Sequence, residues 1–123
     1  MANNSEQEVV RQVVQQYIDG SHAGDVDLLK RIFHPKALMS GYLMGDLGIG
    51  GPEPFFDAVA NNPSAKESGA PYSAEITSVE VAGSAACATL VEKGFLGLDF
   101  IDFFHLIKEN DKWSIIAKTF HQG

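Results

Sequence analysis

The amino-acid sequence predicts one α+β domain over residues 1–123, with three N-terminal helices packed in the concave face of a strongly curved, mostly antiparallel sheet. In the N-terminal half, apolar residues recur at helical spacing, which predicts helices with one buried side. From Tyr72 onward the apolar residues recur at every second position, which is typical of strands. Residues 94–121 hold two long runs of aromatic and β-branched residues around a polar turn, and this pattern predicts a hairpin.

Two helices are predicted before the first strand. Ser5 and Glu8 form the capping box of the first helix, and Gly20 is its predicted end. Asp25 is the predicted cap of a second, shorter helix. That helix ends at His34-Pro35, because the residue before a proline is disfavoured in the helical conformation.

A strand, a glycine-rich connection and a third helix are predicted next. Residues 37–44 are expected to form a short strand. Residues 45–51 are expected to form a flexible connection, since they lack the Gly-Lys-Ser/Thr ending of a phosphate-binding loop. Pro52 suits the first turn of the third helix, which ends at residues 61–63. Residues 64–71 are predicted to be a polar loop.

Four antiparallel strands complete the predicted domain. Residues 74–81 and 85–93 are joined by a turn at Gly83-Ser84, and the final hairpin turns at residues 109–112. The first strand of that hairpin is apolar on both faces. One face carries Phe100, Asp102, Phe104 and Leu106, and the other carries Asp99, Ile101, Phe103, His105 and Ile107. Because such a strand is covered on both sides, one face should meet the helices or a cavity and the other a second copy of the chain. We therefore expect a homodimer.

The composition limits the classes of partner. Hydrophobic residues make up 45% of the chain and charged residues 20%, which is ordinary for a globular domain. A formal charge of −7 argues against nucleic acid and anionic membrane surfaces, because both are bound by clustered Lys and Arg. The sequence has no apolar run that could cross a membrane, and we expect no leader segment. It has one cysteine, Cys87, so no disulfide can form within the chain. We expect a cytoplasmic protein in which Cys87 is a small buried thiol.

Two ionisable residues lie inside the apolar runs of the final hairpin, Asp102 and Lys118. A buried carboxylate beside aromatic rings must be protonated, ion-paired or hydrogen-bonded. Since the two residues lie on neighbouring predicted strands, they can form an ion pair at a pocket wall. Such a pair could be structural, could bind a polar atom of a ligand, or could take part in catalysis.

The histidines indicate no metal or nucleophile site. His34 precedes a proline at a helix end, where a capping or loop role is the usual one, and His105 lies on the outer face of its strand. No His, Asp or Glu pair has the spacing of metal ligands. We therefore expect no metal and no cofactor.

The sequence resembles the nuclear-transport-factor-2-like superfamily, and within it the small bacterial proteins called SnoaL-like or putative lumazine-binding. The residues that carry the resemblance are Gly24-Asp25 before Leu28-Leu29, Phe33-His34-Pro35-x-Ala37, Asp102-x-Phe104-x-Leu106-x-Lys108 and Trp113-x-Ile115-Ile116-x-Lys118-x-Phe120. The resemblance covers nearly the whole chain. It implies a cystatin-like, cone-shaped fold in which sheet and helices enclose a pocket and the convex face makes a dimer.

Ketosteroid isomerases of this superfamily allow a comparison residue by residue. The resemblance aligns Tyr17 with their helix tyrosine ahead of Gly24-Asp25, and Ile101-Asp102 with their inward aspartic acid. Phe120 takes the place of an aromatic residue on the last strand. The carboxylate base of those enzymes has no counterpart at residues 39–42.

Three functions are consistent with these features. The first is a small-molecule-binding domain for an apolar or aromatic ligand, since the pocket is apolar and carries a few polar groups. The second is an isomerase, cyclase or dehydratase for a hydrophobic carbonyl compound, in which Tyr17 and Asp102 donate hydrogen bonds to an oxyanion. The third is a structural dimerisation domain. The expected ligand-binding residues are Tyr17, Tyr42, Phe56, Asp102, Phe104, Lys118 and Phe120, with Tyr17 and Asp102 as the catalytic candidates.

Overall fold

The computed structural model describes the backbone of residues 2–123 and the side chains of residues 5–123. It has the predicted α+β architecture. The elements in chain order are α1 (Ala2–Ala23), α2 (Val26–Ile32), β1 (Phe33–Leu43), β2 (Asp46–Gly50), α3 (Glu53–Asn61), α4 (Ala65–Ser68), β3 (Ser73–Ala82), β4 (Ala85–Phe95), β5 (Leu98–Glu109) and β6 (Lys112–Gln122).

The six strands of the described chain form one sheet in the order β2-β1-β6-β5-β4-β3. Only β1 and β6 pair in parallel, and the other pairs are antiparallel, as predicted. The parallel pairing places the first half of the chain beside its last strand. It therefore brings residues that are far apart in sequence onto one inner face.

The first helix differs from the prediction at both ends. It begins before Ser5 and continues past Gly20 to Ala23. A Cβ atom at Gly20 would lie 2.8 Å from Leu29 Cγ, so this glycine permits close packing of α2 and does not end the helix. The left-handed residue that follows α1 is Gly24, with φ of 71°. The predicted cap of α2 is confirmed, because the Leu28 amide donates to Asp25 Oδ1 at 3.1 Å.

The prediction of a flexible connection at residues 45–51 is wrong. Most of this segment forms β2, which pairs with β1 from Leu43↔Asp46 to Met39↔Gly50. The two residues between the strands, Met44 and Gly45, have φ of 51° and 86°. Positive φ at both positions matches the right-handed twist of a two-residue hairpin, and glycine makes it accessible. The glycines of this segment therefore lie in the turn and in β2, which is an edge strand of the sheet.

The later boundaries shift only slightly. The segment predicted as a polar loop contains α4, whose cap is Ser64 Oγ accepting from the Glu67 amide at 3.0 Å. Strand β4 extends to Phe95, and the β4–β5 turn is Leu96-Gly97. The predicted turn of the last hairpin is confirmed at Asn110-Asp111, both with positive φ.

The core lies between the helices and the concave face of the sheet. Tyr17, Phe33, Phe55 and Phe104 meet there, with ring centroids 4.9 to 6.3 Å apart for the pairs in contact. Glu6 links the start of α1 to the last hairpin, since its Oε2 accepts from Lys108 Nζ at 2.8 Å and from Trp113 Nε1 at 3.1 Å.

Over the part of the chain described, no helix is both long and apolar enough to span a membrane.

Candidate functional site

A cavity of about 750 Å³ lies between the β1–β2 hairpin, the start of α3 and the inner face of the sheet. Its wall is mostly apolar. The lining residues that matter here are Met39, Leu47, Ile49, Phe55, Phe100 and Phe120, together with Lys118. Of the described residues that line this cavity, Lys118 is the one cationic side chain, and Asp46 and Glu53 are the acidic ones.

The sheet register turns Lys118 inward. It pairs with Met39 on β1 and Phe104 on β5, both of which lie on the inner face. The side chain is 5% exposed, and Nζ donates to Tyr17 Oη at 2.6 Å. Nζ also lies 4.5 Å from the ring centroid of Phe55 and 5.5 Å from that of Phe120. The amine therefore stands between two rings of the cavity wall and the hydroxyl of a core tyrosine.

Asp102 lies behind this amine and is fully buried. Its Oδ1 is 3.9 Å from Lys118 Nζ, so the ion pair expected from the sequence is present in a long form. Neither carboxyl oxygen has a hydrogen-bond donor among the described residues. Burial raises the pKa of Asp102, and the nearby Lys118 charge opposes that rise. Asp102 does not line the cavity, so its influence on a ligand would pass through Lys118.

Glu92 is a member of this cluster that the sequence reasoning missed. It lies on β4, it is 1% exposed, and its Oε2 accepts from Tyr72 Oη at 2.6 Å. Burial, and then the charge of Asp102, raise the pKa of Glu92 to about 7. The signal was available, because Glu92 follows the buried Ala88 and Leu90 at the period of two that marks the inner face of a strand.

The two buried carboxyls act on each other. The charge of Asp102 raises the pKa of Glu92, and the proximity of Glu92 lowers the pKa of Asp102. Below about pH 7 Glu92 therefore holds its proton, and the carboxyl group of Asp102 lies beside Lys118. Burial is also the main reason that the pKa values of Tyr17 and Tyr72 lie above their ordinary value, so both phenols keep their protons. The result is a buried chain of polar groups in the order Tyr72, Glu92, Asp102, Lys118, Tyr17.

The other residues expected at the site fall into three places. Phe120 lines the cavity as expected. Phe104 and Phe56 pack in the core away from the wall, against Tyr17 at 4.9 Å and Phe33 at 5.6 Å between ring centroids. Tyr42 lies on the outer face and is 62% exposed, which corrects its expected position at the main cavity. The reason is strand alternation, since Gly41 faces inward opposite Phe120.

The outer face of the sheet carries an exposed apolar row, which we call the outer patch. Its members share one face because they pair across β1, β6 and β5 through Ala117, Thr119 and His121. They are Leu38, Tyr42, Ile101 and Phe103. Phe103, on β5, is 50% exposed. An apolar patch of this kind on a sheet is typical of an interaction surface.

The histidines and the cysteine stand apart from the cavity. His34 Nε2 lies 3.1 Å from Glu109 Oε1, and its Nδ1 accepts from the Lys36 amide at 3.0 Å, which is a structural role at the start of β1. Cys87 is only partly buried, so the expectation of a buried thiol holds in part. Within the described residues no group of His, Cys, Asp and Glu has the geometry of a metal site.

The family described as "Putative lumazine-binding" matches residues 5–121. A curated relative, named aldolase FrzH and from Cladobotryum sp., is 27% identical over 119 residues, which is 96% of this chain and 92% of the relative.

Two solved structures have the same fold. An NTF2-like protein of unknown function from Shewanella baltica OS155 is 26% identical, with a TM-score of 0.85 over 97% of this chain and 94% of that one. An NTF2-like protein of unknown function from Silicibacter pomeroyi DSS-3 is 24% identical, with a TM-score of 0.89 over 100% of both chains.

Proposed function

The chain belongs to the family described as "Putative lumazine-binding", and from this premise we propose that it binds a small, mostly apolar compound whose carbonyl oxygen accepts a hydrogen bond from Lys118. The observation that carries the proposal is the position of a buried amine in the wall of an apolar cavity. Binding sites for small molecules combine an apolar wall with a few polar groups that orient the ligand.

The size of the cavity suits this class of ligand. A volume of about 750 Å³ lies within the range of sites for compounds of a few fused rings. Phe55, Phe100 and Phe120 offer ring faces and edges to an aromatic or alicyclic body. A ligand of this kind would bury its apolar surface against the sheet and α3.

Lys118 supplies the polar contact. Tyr17 Oη takes one of its N–H donors, and two remain for a ligand or for Asp102. Because the amine is almost excluded from water, a ligand oxygen that accepts from it replaces a hydrogen bond that solvent cannot supply. An acceptor oxygen should therefore bind better than an apolar group of the same shape.

The proposal includes a homodimer that covers the outer patch. Exposed apolar side chains such as Phe103 and Leu38 lie on one face of the sheet across three strands, with Ala117, Thr119 and His121 of β6 between them. A second copy of the chain can bury it through a two-fold axis, because such an interface is self-complementary. The cavity opens on the other face of the sheet, so the dimer would leave it accessible.

A fluorescent ketone tests the proposal. We expect 6-propionyl-2-(dimethylamino)naphthalene to bind the wild-type protein with a blue-shifted emission, and Lys118→Met to bind it about tenfold more weakly. Lys112→Met, at the exposed first residue of β6, is the matched control and should bind as the wild type does. Ala58→Trp, which fills the cavity from α3, should abolish binding. Equal affinity of all four proteins would contradict the proposal.

A second candidate function is carbon–carbon bond chemistry on a carbonyl compound, and the sequence similarity to a protein named as an aldolase favours it. An ammonium donor such as Lys118 would stabilise the enolate oxygen that forms when a carboxylate of the cavity wall, Asp46 or Glu53, takes a proton from the carbon next to a carbonyl. Asp102 and Glu92 would set the charge behind that donor. In this case the bound compound is a substrate rather than a ligand that is bound without reacting.

Proton exchange separates the two candidates. An enzyme of this kind should catalyse the exchange of α-hydrogens of a bound ketone for deuterium in heavy water, followed by NMR. Lys118→Met should reduce the exchange to the uncatalysed rate, and Lys112→Met should leave it unchanged. Binding of the ketone without accelerated exchange would leave the binding function and reject the enzymatic one.

A further inference from the structure

We propose that Lys118 forms a covalent imine with an aldehyde or ketone bound in the cavity. This rests on the proposed function, since the carbonyl compound must first bind there. Amines that are withdrawn from water in apolar pockets are the groups that form imines with carbonyl substrates. Lys118 is the only amine that lines the cavity within the described part of the chain.

The position of the amine suits attack on a carbonyl carbon. Nζ lies near the ring faces of Phe55 and Phe120, which belong to the cavity wall. Nζ also donates a hydrogen bond to Tyr17 Oη at 2.6 Å. These contacts restrict a long, flexible side chain to one location, and this lowers the entropy cost of bringing the two reacting atoms together.

The amine must lose a proton before it can attack, and Asp102 is placed to accept it. Oδ1 lies 3.9 Å from Nζ, and both carboxyl oxygens lack a donor among the described residues. Transfer of one proton from Lys118 to Asp102 converts the ion pair into an amine and a carboxylic acid, which are both neutral. Burial and the charge of Asp102 favour the protonated form of Glu92, and this keeps the net charge of the cluster low during the transfer.

The step balances without an oxidant or a reductant. The Nζ lone pair attacks the carbonyl carbon, the C–N bond forms, and the π electrons move to the oxygen. A proton passes from nitrogen to that oxygen, with the Tyr17 hydroxyl beside Nζ as the carrier. The hydroxyl group of the carbinolamine then takes the proton held by Asp102 and leaves as water, so that a protonated imine remains beside an ionised Asp102.

Reductive trapping tests the imine. Benzaldehyde and sodium cyanoborohydride are added to the wild-type protein, and the benzylated lysines are located by peptide mass spectrometry. We expect Lys118 to be modified about tenfold faster than the exposed Lys112, because only Lys118 meets the aldehyde in the cavity. Lys118→Met should lack this rapid benzylation in the cavity, and Lys112→Met should retain it. Modification spread over exposed lysines, with Lys118 unmodified, would overturn the imine.

A second measurement separates this proposal from the binding function. Displacement of the fluorescent ketone by benzaldehyde reports on occupancy of the cavity without a covalent step. Displacement without benzylation of Lys118 rejects the imine and leaves the binding function in place. No displacement and no benzylation reject both. Asp102→Asn provides the test of the proton acceptor, with displacement unchanged and the fast benzylation lost if Asp102 acts as described.

Discussion

Lys118 Nζ and Tyr17 Oη lie 2.6 Å apart, so that the last strand and the first helix meet in one buried hydrogen bond across 101 positions of sequence. The bond holds the amine at the inner wall of the cavity. On the far side of the amine is Asp102, whose Oδ1 is 3.9 Å away. The polar contact with a ligand therefore depends on Lys118, and Tyr17 and Asp102 set the position and charge of its amine.

Removal of the Tyr17 hydroxyl should destabilise the fold. Tyr17→Phe leaves the ring packing intact but deprives a buried ammonium of its acceptor, which costs about 1–3 kcal/mol. Urea unfolding at fixed pH measures the change. Tyr42→Phe is the control, since the Tyr42 side chain is exposed, and it should change stability by less than about 0.5 kcal/mol. Similar effects of the two substitutions would show that the Lys118 contact adds nothing to stability.

Glu92 should make the protein less stable as the pH rises. The pKa of Glu92 is about 7 in the folded chain against 4.5 for an ordinary Glu, so between these values the folded state holds a proton that the unfolded state lacks. The stabilising contribution is complete below pH 4.5 and is lost as the pH rises through about 7.

Glu92→Gln tests this directly. Glutamine resembles the protonated carboxyl in shape and can accept from Tyr72. We expect the variant to melt at a higher temperature than the wild type at about pH 8, with little difference at about pH 5. A constant difference between the two proteins across that range would reject a raised pKa for Glu92.

Gly41 should be required for the packing of β1 on the last strand. A Cβ atom there would lie 2.6 Å from Phe120 O and 2.8 Å from the Phe120 ring, so Gly41→Ala forces Phe120 to move at the cavity wall. We expect a loss of about 1–3 kcal/mol in stability and weaker binding of the fluorescent ketone. Gly48→Ala is the matched control in β2, because its nearest neighbour is 3.9 Å away. Equal behaviour of the two variants would contradict this account of the wall.

A charge in the outer patch should break the homodimer. Phe103→Glu places a carboxylate in a surface that the partner would bury, where it would lose its hydration without an opposite charge to pair with. Light scattering after size-exclusion chromatography should show a dimer for the wild type and a monomer for the variant. Ser73→Glu, at an exposed position on β3, should remain a dimer. A monomeric wild-type protein would remove the dimer from the proposal.

The elements and their order were largely predictable because helical and strand periodicities are local properties of the chain. The Asp25 cap and the Asn110-Asp111 turn illustrate this, since each depends on a few consecutive residues. The β2 strand was not predicted, because its short, glycine-rich sequence has no periodicity and gains its structure from pairing with β1. Gly20 was misassigned for a similar reason, since its role is contact with Leu29 on another helix.

By itself, the sequence determined the α+β class, the inward side of the last strands and the presence of an acid and an amine within them, since each depends on patterns along a single segment. Only the tertiary structure decided that Glu92 joins Asp102, that Lys118 rather than Asp102 reaches the cavity, and that Tyr42 lies outside. These outcomes depend on pairing across strands and on burial by the helices. Such contacts join residues far apart in the chain, and no local pattern specifies the distances between them.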